Sequence, residues 1–315
     1  GYKALGTEDG HGKNTAIGYG ALTAQDAGTD AYNVAIGFEA GLAVSTGANN
    51  TLIGAAAGDA LTSGSNNIAI GRNALGTEDG NGKNVAIGNS TLATQNAGED
   101  AYNVAVGYEA GYATTSGIQN VLIGGLTGDA LTSGSYNVAI GNLALSTEDA
   151  HGKNTAVGYQ ALATQNAGAD AYNVAIGHSA GLSVSTGTEN VLIGGLVGSS
   201  LATGARNVAI GYNALQAEDG NGRAVAIGYN ALYTQNAGGE VYNTAVGYGA
   251  AQLLTTGAEN TIIGGLAGDA LTSGGYNVAV GVESLSSEDA HGRNVAIGYR
   301  ALKVQNAGAN AYNVA

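Results

Sequence analysis

The chain has 315 residues with 55 Gly and no Pro, Cys, Met or Trp, and apolar residues make up 44% of it. A net charge of −14 with only 10 Lys and Arg provides no basic stripe for phosphates, which argues against nucleic acid as a partner. No apolar run approaches the roughly 20 residues of a membrane-spanning helix, so we expect no direct membrane insertion, and the absence of Cys excludes a disulfide framework.

A repeated segment organises the whole chain. It begins with Asn and runs Asn-(Val/Thr)-Ala-(Ile/Val)-Gly, as in residues 33–37. The first five starts are Asn14, Asn33, Asn50, Asn67 and Asn84. Their spacings of 19, 17, 17 and 17 residues form a 70-residue block that then recurs. We therefore predict one repeat domain over residues 1–315, about 4.5 copies of a four-coil block. Because residues 1–5 already fit a repeat, we expect a fragment of a longer fibre.

Each coil alternates β-branched residues with Ala and Gly, and a period of two predicts a β-strand. Val34 and Ile36 fall on one face, where they should stack into an apolar column from coil to coil. Ala35 and Gly37 fall on the other face, and small residues at fixed positions indicate that another backbone approaches closely there. The predicted fold class is therefore all-β, a parallel β-solenoid with coils of 17 and 19 residues. A solenoid buries only one face of its strands itself, so we expect the other face to meet a second chain.

Two columns of the repeat call for their own explanation. Leu52 replaces the strand Ala in the third coil of the first block, and we expect it to fill the space beside Gly58. The equivalent pairs in later blocks are Leu122 with Gly128, Leu192 with Gly198 and Ile262 with Gly268. Asn occupies 17 of the 18 coil starts, with Ala224 as the exception. Two explanations stay open for this Asn column. The side chains form a hydrogen-bonded ladder along the coil axis, or Asn is present because it tolerates a turn conformation.

The repeated run Asn-Val-Ala-Ile-Gly-x-x-Ala, separated by Gly-containing turns, resembles the head repeats of trimeric autotransporter adhesins of the YadA type. It is also similar to repeats in the long structural and tail fibres of marine tailed bacteriophages. The resemblance implies a left-handed parallel β-roll, a parallel homotrimer, and exposure on a virion or cell surface. Host or cell-surface glycans or proteins are the other partners that it implies.

Turns such as residues 95–102 are closer to the phage versions of this repeat. The favoured function is therefore a non-enzymatic segment of a virion or tail fibre, extracellular, acting as a rigid spacer and attachment surface. The alternative is the head of a bacterial adhesin at the outer-membrane surface.

Catalytic chemistry finds little support in the sequence. The chain lacks Cys, and His11, His151 and His291 share a turn position with Asn81 and Asn221. A position that alternates His with Asn is typical of a solvated turn and not of a catalytic base. We therefore expect no catalytic or cofactor-binding residues and no enzyme activity.

Two remote alternatives depend on partial patterns. Residues 36–47 fit the hexapeptide rule of β-helix acyltransferases, but residues 48–50 break it. An ice-binding surface would need a complete Thr array, and Thr columns such as those of Thr46, Thr115 and Thr186 are incomplete.

The acidic turn at residues 78–83 gathers oxygen atoms of the kind that bind calcium. It lacks the Asp-x-Asp spacing of an EF-hand loop, so a solvated corner without a metal is the favoured interpretation. Calcium stays open as the single candidate cofactor. Its candidate ligands are Asp9, Asp79, Asp149, Asp219 and Asp289.

A Tyr precedes the coil-start Asn that follows every 19-residue coil. These residues are Tyr32, Tyr102, Tyr172, Tyr242 and Tyr312. One hypothesis makes them a row for stacking carbohydrate. The favoured one is that each ring folds over the longer turn and covers it.

Overall fold

The computed structural model describes residues 1–10, 12–220, 222–306 and 308–315. It divides into two compact units, Gly1–Asn154 and Thr155–Ala315, and each unit is described by itself. Short strands and turns make up the described residues of both units, with no helix among them. Accordingly, none of the described segments is a helix of the length and apolar character needed to cross a bilayer.

The described residues of the first unit form eight three-residue strands. They are β1 (Thr15–Ile17), β2 (Val34–Ile36), β3 (Thr51–Ile53), β4 (Ile68–Ile70), β5 (Val85–Ile87), β6 (Val104–Val106), β7 (Val121–Ile123) and β8 (Val138–Ile140). Each strand pairs in parallel with the next along the chain, and the residues of equal repeat position lie opposite each other, as Ile36 lies opposite Ile53.

In the second unit, the part of the chain that the structure describes forms nine strands of the same length. They are β9 (Thr155–Val157), β10 (Val174–Ile176), β11 (Val191–Ile193), β12 (Val208–Ile210), β13 (Val225–Ile227), β14 (Thr244–Val246), β15 (Thr261–Ile263), β16 (Val278–Val280) and β17 (Val295–Ile297). Consecutive strands again pair in parallel and in register. The predicted parallel β-solenoid, with one strand per coil, is confirmed.

The middle residue of each strand points into the coil, and the β-branched residues on either side point out. Ala35 and Leu52 have no exposed surface, whereas Ile68 and Ile123 are each 37% exposed. The in-register pairing also stacks the outward residues into the continuous apolar column predicted from the sequence. The solenoid therefore buries its small-residue face, and the β-branched face is the one that stays partly open.

The glycine that ends each strand explains the predicted close backbone approach. Gly37 has a φ of +147°, and a Cβ placed there would lie 2.3 Å from the carbonyl oxygen of Gly54. Gly54 is the equivalent residue of the next coil, so the approaching backbone belongs to the same chain. This finding corrects the idea that the small-residue face is a place for a second chain to approach.

The expected pairing of Leu52 with Gly58 is confirmed. A Cβ on Gly58 would lie 2.8 Å from the Leu52 Cδ2, and a Cβ on Gly41 would lie 2.7 Å from its Cδ1. One leucine therefore fills the space beside two glycines, in its own coil and in the preceding one. The coils on either side carry Leu22 and Leu75 at the repeat position that Gly41 and Gly58 occupy, and both leucines are completely buried. The side-chain volume in the core thus stays similar from coil to coil, although different repeat positions supply it.

Candidate functional site

The coil-start Asn residues form the hydrogen-bonded ladder that was one of the two explanations for this column. In the first unit the Oδ1 of each coil-start Asn from Asn14 to Asn137 accepts a hydrogen bond from the backbone N–H of the next coil-start Asn, at 2.8 to 3.1 Å. In the second unit the equivalent bonds that are described measure 2.9 to 3.3 Å. The side chains therefore connect consecutive coils along the axis.

The same side chains also close their own coils. The Asn50 Nδ2 donates to the Gly64 carbonyl at 2.8 Å, and the Asn120 Nδ2 donates to the Gly134 carbonyl at 2.9 Å. Both Asn residues are buried, so these bonds satisfy carbonyls that water cannot reach. Asn50 and Asn120 thus hold their own coils closed and bind the coils after them.

The turn explanation applies to a different residue. The left-handed conformation lies at the residue before each coil-start Asn, with φ of +57° at Tyr32 and +60° at Asn49, whereas Asn33 and Asn50 themselves do not adopt it. Tolerance of a turn conformation therefore does not explain why Asn occupies the coil starts. The hydrogen bonds that its side-chain amide makes explain it.

A second interior column was missed in the sequence. The position eleven residues after the coil start carries Gln25, Val44, Leu61 and Glu78 in the first four coils, and all four side chains are buried. Gln25 is satisfied, since its Oε1 accepts from the Asn33 Nδ2 at 2.7 Å and its Nε2 donates to the Ser45 carbonyl at 3.0 Å. Aligning the coils by their Asn residues would have revealed this column, because apolar residues share it.

The glutamate of this column is the unusual member. Glu78 and Glu148 are completely buried, and in each of them Oε2 has no hydrogen-bond partner. Burial raises the pKa of both carboxyl groups, because water no longer stabilises their charged form. Glu148 Oε1 accepts from the His151 N–H at 3.1 Å, which leaves one buried oxygen on this carboxylate unsatisfied.

The five aspartates considered as calcium ligands follow this glutamate directly, and all five side chains are exposed. Asp79 Oδ1 accepts from the Gly80 N–H at 2.5 Å, so part of its capacity is used inside the turn. The residues that follow Asp9 and Asp219 at the His/Asn position, His11 and Asn221, lie outside the described residues. Calcium binding by these aspartates stays a prediction.

The structure brings two of those aspartates into mixed clusters. Within the described residues, Glu148, Asp149 and His151 offer ligand atoms within 4.8 Å of one another, and so do Glu288, Asp289 and His291. The sequence pattern predicts solvated turn residues at both histidines. The buried glutamate beside them is what the sequence did not reveal.

The tyrosines before the coil starts interact with basic side chains. Tyr32 and Tyr102 are about half exposed, and their rings lie beneath Lys13 and Lys83, with Nζ to ring-centre distances of 5.1 and 4.9 Å. Each lysine also donates to the Tyr hydroxyl, at 3.1 and 2.9 Å. Part of each ring is therefore covered by a charged neighbour, and the exposed half leaves carbohydrate stacking as a prediction.

Further aromatic residues form exposed stacks that were not predicted from the sequence. Tyr212, Tyr229 and Tyr248 lie on successive coils of the second unit, with ring centres 5.8 and 5.2 Å apart. Tyr2, Tyr19 and Phe38 form an equivalent stack in the first unit, at 5.6 and 5.4 Å. Alignment of the coils places all of them one residue after the strand-ending Gly, which is the signal that would have found them. Offset stacking of this kind contributes about 0.5 to 1.5 kcal/mol per pair.

Comparison with known proteins adds no relative, since no protein-family model, no curated protein and no solved structure matches the chain.

Proposed function

We propose that this chain is a non-enzymatic structural segment of a bacteriophage virion or tail fibre, extracellular, serving as a rigid spacer and attachment surface. The observation that carries the proposal is the equivalence of the coils. Coil after coil offers the next one the same strand register, the same Gly contact and, except at Ala224, the same Asn side chain for the ladder. Such a molecule gains length by repetition, since each repeat contacts only its neighbours.

The repetition also argues against catalysis. A catalytic site needs a unique arrangement of residues, and the turns of one 70-residue block reappear in the next with few changes. We therefore propose that the chain is not an enzyme.

The proposed partner is a second and third copy of the same chain in parallel. The outward face of the strands is β-branched in every coil and only partly buried, with exposed fractions of 39% at Ile176 and 39% at Ile263. A contiguous apolar column of this kind is typical of an interaction surface. Packing three copies through these faces would remove the column from water. Each side chain would contribute the part of about 1.5 to 3 kcal/mol that corresponds to its still exposed surface.

The proposed trimer predicts the mass of the assembly and the substitutions that should prevent it from forming. Light scattering should give about three times the chain mass of 30.7 kDa. The double substitution Ile123→Glu with Ile263→Glu should give the mass of a single chain, because a carboxylate buried between copies has no partner. Both positions are partly exposed in the single chain, so the monomer should still fold.

The matched control is Ser116→Glu with Thr256→Glu, which adds the same charge at exposed turn positions outside the strands. The control should keep the mass of the unsubstituted chain. A monomeric parent chain, or a trimer that survives the isoleucine substitutions, would contradict the proposal.

The spacer role predicts that one block is dispensable. Deleting residues 84–153 joins Lys83 to Asn154 and recreates the natural Lys153-Asn154 junction. The shortened chain should fold, keep its oligomeric state and melt within a few degrees of the parent, because repeat stability is set by neighbour contacts. Deleting residues 84–145 instead breaks the coil length and should lower the melting temperature strongly. If the first deletion also prevents folding or assembly, the block makes unique contacts and is not a spacer.

The adhesin head remains the second candidate. The observation that favours it is the pair of exposed aromatic stacks, since stacked rings repeated along a surface suit weak multivalent attachment.

A further inference from the structure

The corner that precedes a coil start contains a site that the fibre proposal does not use. In the first unit it consists of Glu148, Asp149 and His151, and in the second unit of Glu288, Asp289 and His291. The two triplets occupy the same repeat position, two 70-residue blocks apart. Within each triplet, one ligand atom from every side chain lies within 4.8 Å of the other two.

The glutamate of each triplet points to a ligand. Glu148 and Glu288 are completely buried, and Oε2 of each has no hydrogen-bond partner. The Nδ1 atom of His151 is buried as well and makes no hydrogen bond. A buried polar atom left without a partner costs about 1 to 3 kcal/mol, and Glu78 Oε2 in the corner of Asn81 is unpartnered as well. The corners of Glu148 and Glu288 differ from that corner because each also places an imidazole nitrogen within 4.8 Å of the carboxylates, which is what a cation would need.

The Nδ1 to Oε1 distances in the two corners lie on either side of the separation that shared coordination of one ion would give. His151 Nδ1 lies 3.7 Å from Glu148 Oε1, and His291 Nδ1 lies 3.3 Å from Glu288 Oε1. Two atoms bound to one tetrahedral zinc at about 2.1 Å each are separated by about 3.4 Å. The His291 pair is also close enough for a long hydrogen bond, whereas the His151 pair is not.

The donor atoms identify the class of ion. Calcium takes six to eight oxygen atoms and rarely an imidazole, and each corner offers two carboxylates and one histidine. Imidazole with carboxylate suits zinc and the neighbouring late first-row metals. Three protein ligands leave one position of a tetrahedral ion for water.

We propose that Glu148, Asp149 and His151, and likewise Glu288, Asp289 and His291, each bind one zinc-class divalent cation. The buried glutamate supplies a fixed oxygen and the exposed aspartate turns inward to complete the set. Each ion would fasten the corner that leads into Asn154 or Asn294 of the ladder. This inference is independent of the fibre proposal, because it concerns single corners of one chain.

The chain contains its own counterpart without the histidine. Glu78 and Asp79 are followed by Asn81, whose side-chain oxygen is placed to accept from the N–H groups of Gly98 and Glu99. An amide is a poor zinc ligand, so this corner should not bind zinc. The sequence repeats the histidine version once more at residues 8, 9 and 11, where residue 11 lies outside the described part of the chain.

The test uses the whole chain without a histidine tag, stripped with EDTA and dialysed against micromolar free Zn²⁺ with excess Ca²⁺ present. Bound zinc per chain is measured by elemental analysis. The double substitution His151→Asn with His291→Asn should bind two equivalents fewer than the parent. It should still fold, because Asn is the natural residue at this position in other blocks.

Two further variants make the assignment specific. Glu148→Gln with Glu288→Gln is nearly isosteric and should also lose two equivalents, whereas Asn81→His should gain one. Co²⁺ in place of Zn²⁺ should give the absorption of a tetrahedral site in the parent, and the double His variant should lose the share that these two corners contribute. If the parent binds no zinc, or if the double His variant keeps the parent's stoichiometry, the proposal is wrong.

Discussion

Replacing Gly264 by Ala should unfold its coil locally, whereas the same replacement at the adjacent Gly265 should be nearly neutral. Gly264 has a φ of +138°, and a Cβ there would lie 2.4 Å from the carbonyl oxygen of Gly281 in the next coil. Gly265 has no such φ, and a Cβ added to it would have no other atom within 4 Å. The Gly264→Ala variant therefore has about 1 to 3 kcal/mol of backbone strain and about 1 to 3 kcal/mol of overpacking, and the Gly265→Ala variant has neither.

Amide hydrogen exchange is the suitable measurement, because a repeat array need not unfold as one cooperative unit. Protection should fall in β15 and β16 of the Gly264→Ala variant and stay at the parent level in Gly265→Ala. Gly265→Ala should even gain about 0.4 to 1 kcal/mol by restricting the unfolded chain. Equal protection in the two variants would show that the glycine column is not required for coil stacking.

Replacing Asn120 by Ala should lower the free energy of unfolding by about 2 to 6 kcal/mol. Two buried groups lose their hydrogen-bond partners, and each loss costs about 1 to 3 kcal/mol. These groups are the N–H of Asn137, 2.9 Å from the Asn120 Oδ1, and the carbonyl of Gly134, 2.9 Å from its Nδ2. Thermal unfolding followed by circular dichroism should show a lower midpoint. Asn89→Ala serves as the control, since Asn89 is exposed and should change little.

The chain offers the reverse experiment at Ala224, the one coil start without Asn. The Ala224 N–H donates to the Asn207 Oδ1 at 3.0 Å, but Ala224 has no amide to offer the following coil. Ala224→Asn should therefore stabilise the chain by about 1 kcal/mol, the net value of a typical hydrogen bond. If the ladder does not contribute to stability, both Asn120→Ala and Ala224→Asn should leave the free energy of unfolding unchanged.

The repeat and its strands follow from the sequence because their signals are local. The period of two in Val34-Ala35-Ile36-Gly37 requires an extended segment, and the constant spacing of 17 or 19 residues stacks these segments in register. The requirement for Gly was also predictable, since no other residue tolerates a backbone placed against its α-carbon. The match between Leu52 and Gly58 followed from the need to fill a core of constant volume.

Only the tertiary structure decided which strand face is buried and which turn residues are interior. Both faces of Val34-Ala35-Ile36 are apolar or small, so alternation alone cannot select the inner one; the direction in which the coil curves does, and it places Ala35 inside. Glu148 precedes Asp149 in a polar stretch that looks solvated, yet closure of the coil carries its side chain into the column shared with Leu131. Burial of this carboxylate depends on contacts between distant residues, and a local pattern contains no information about them.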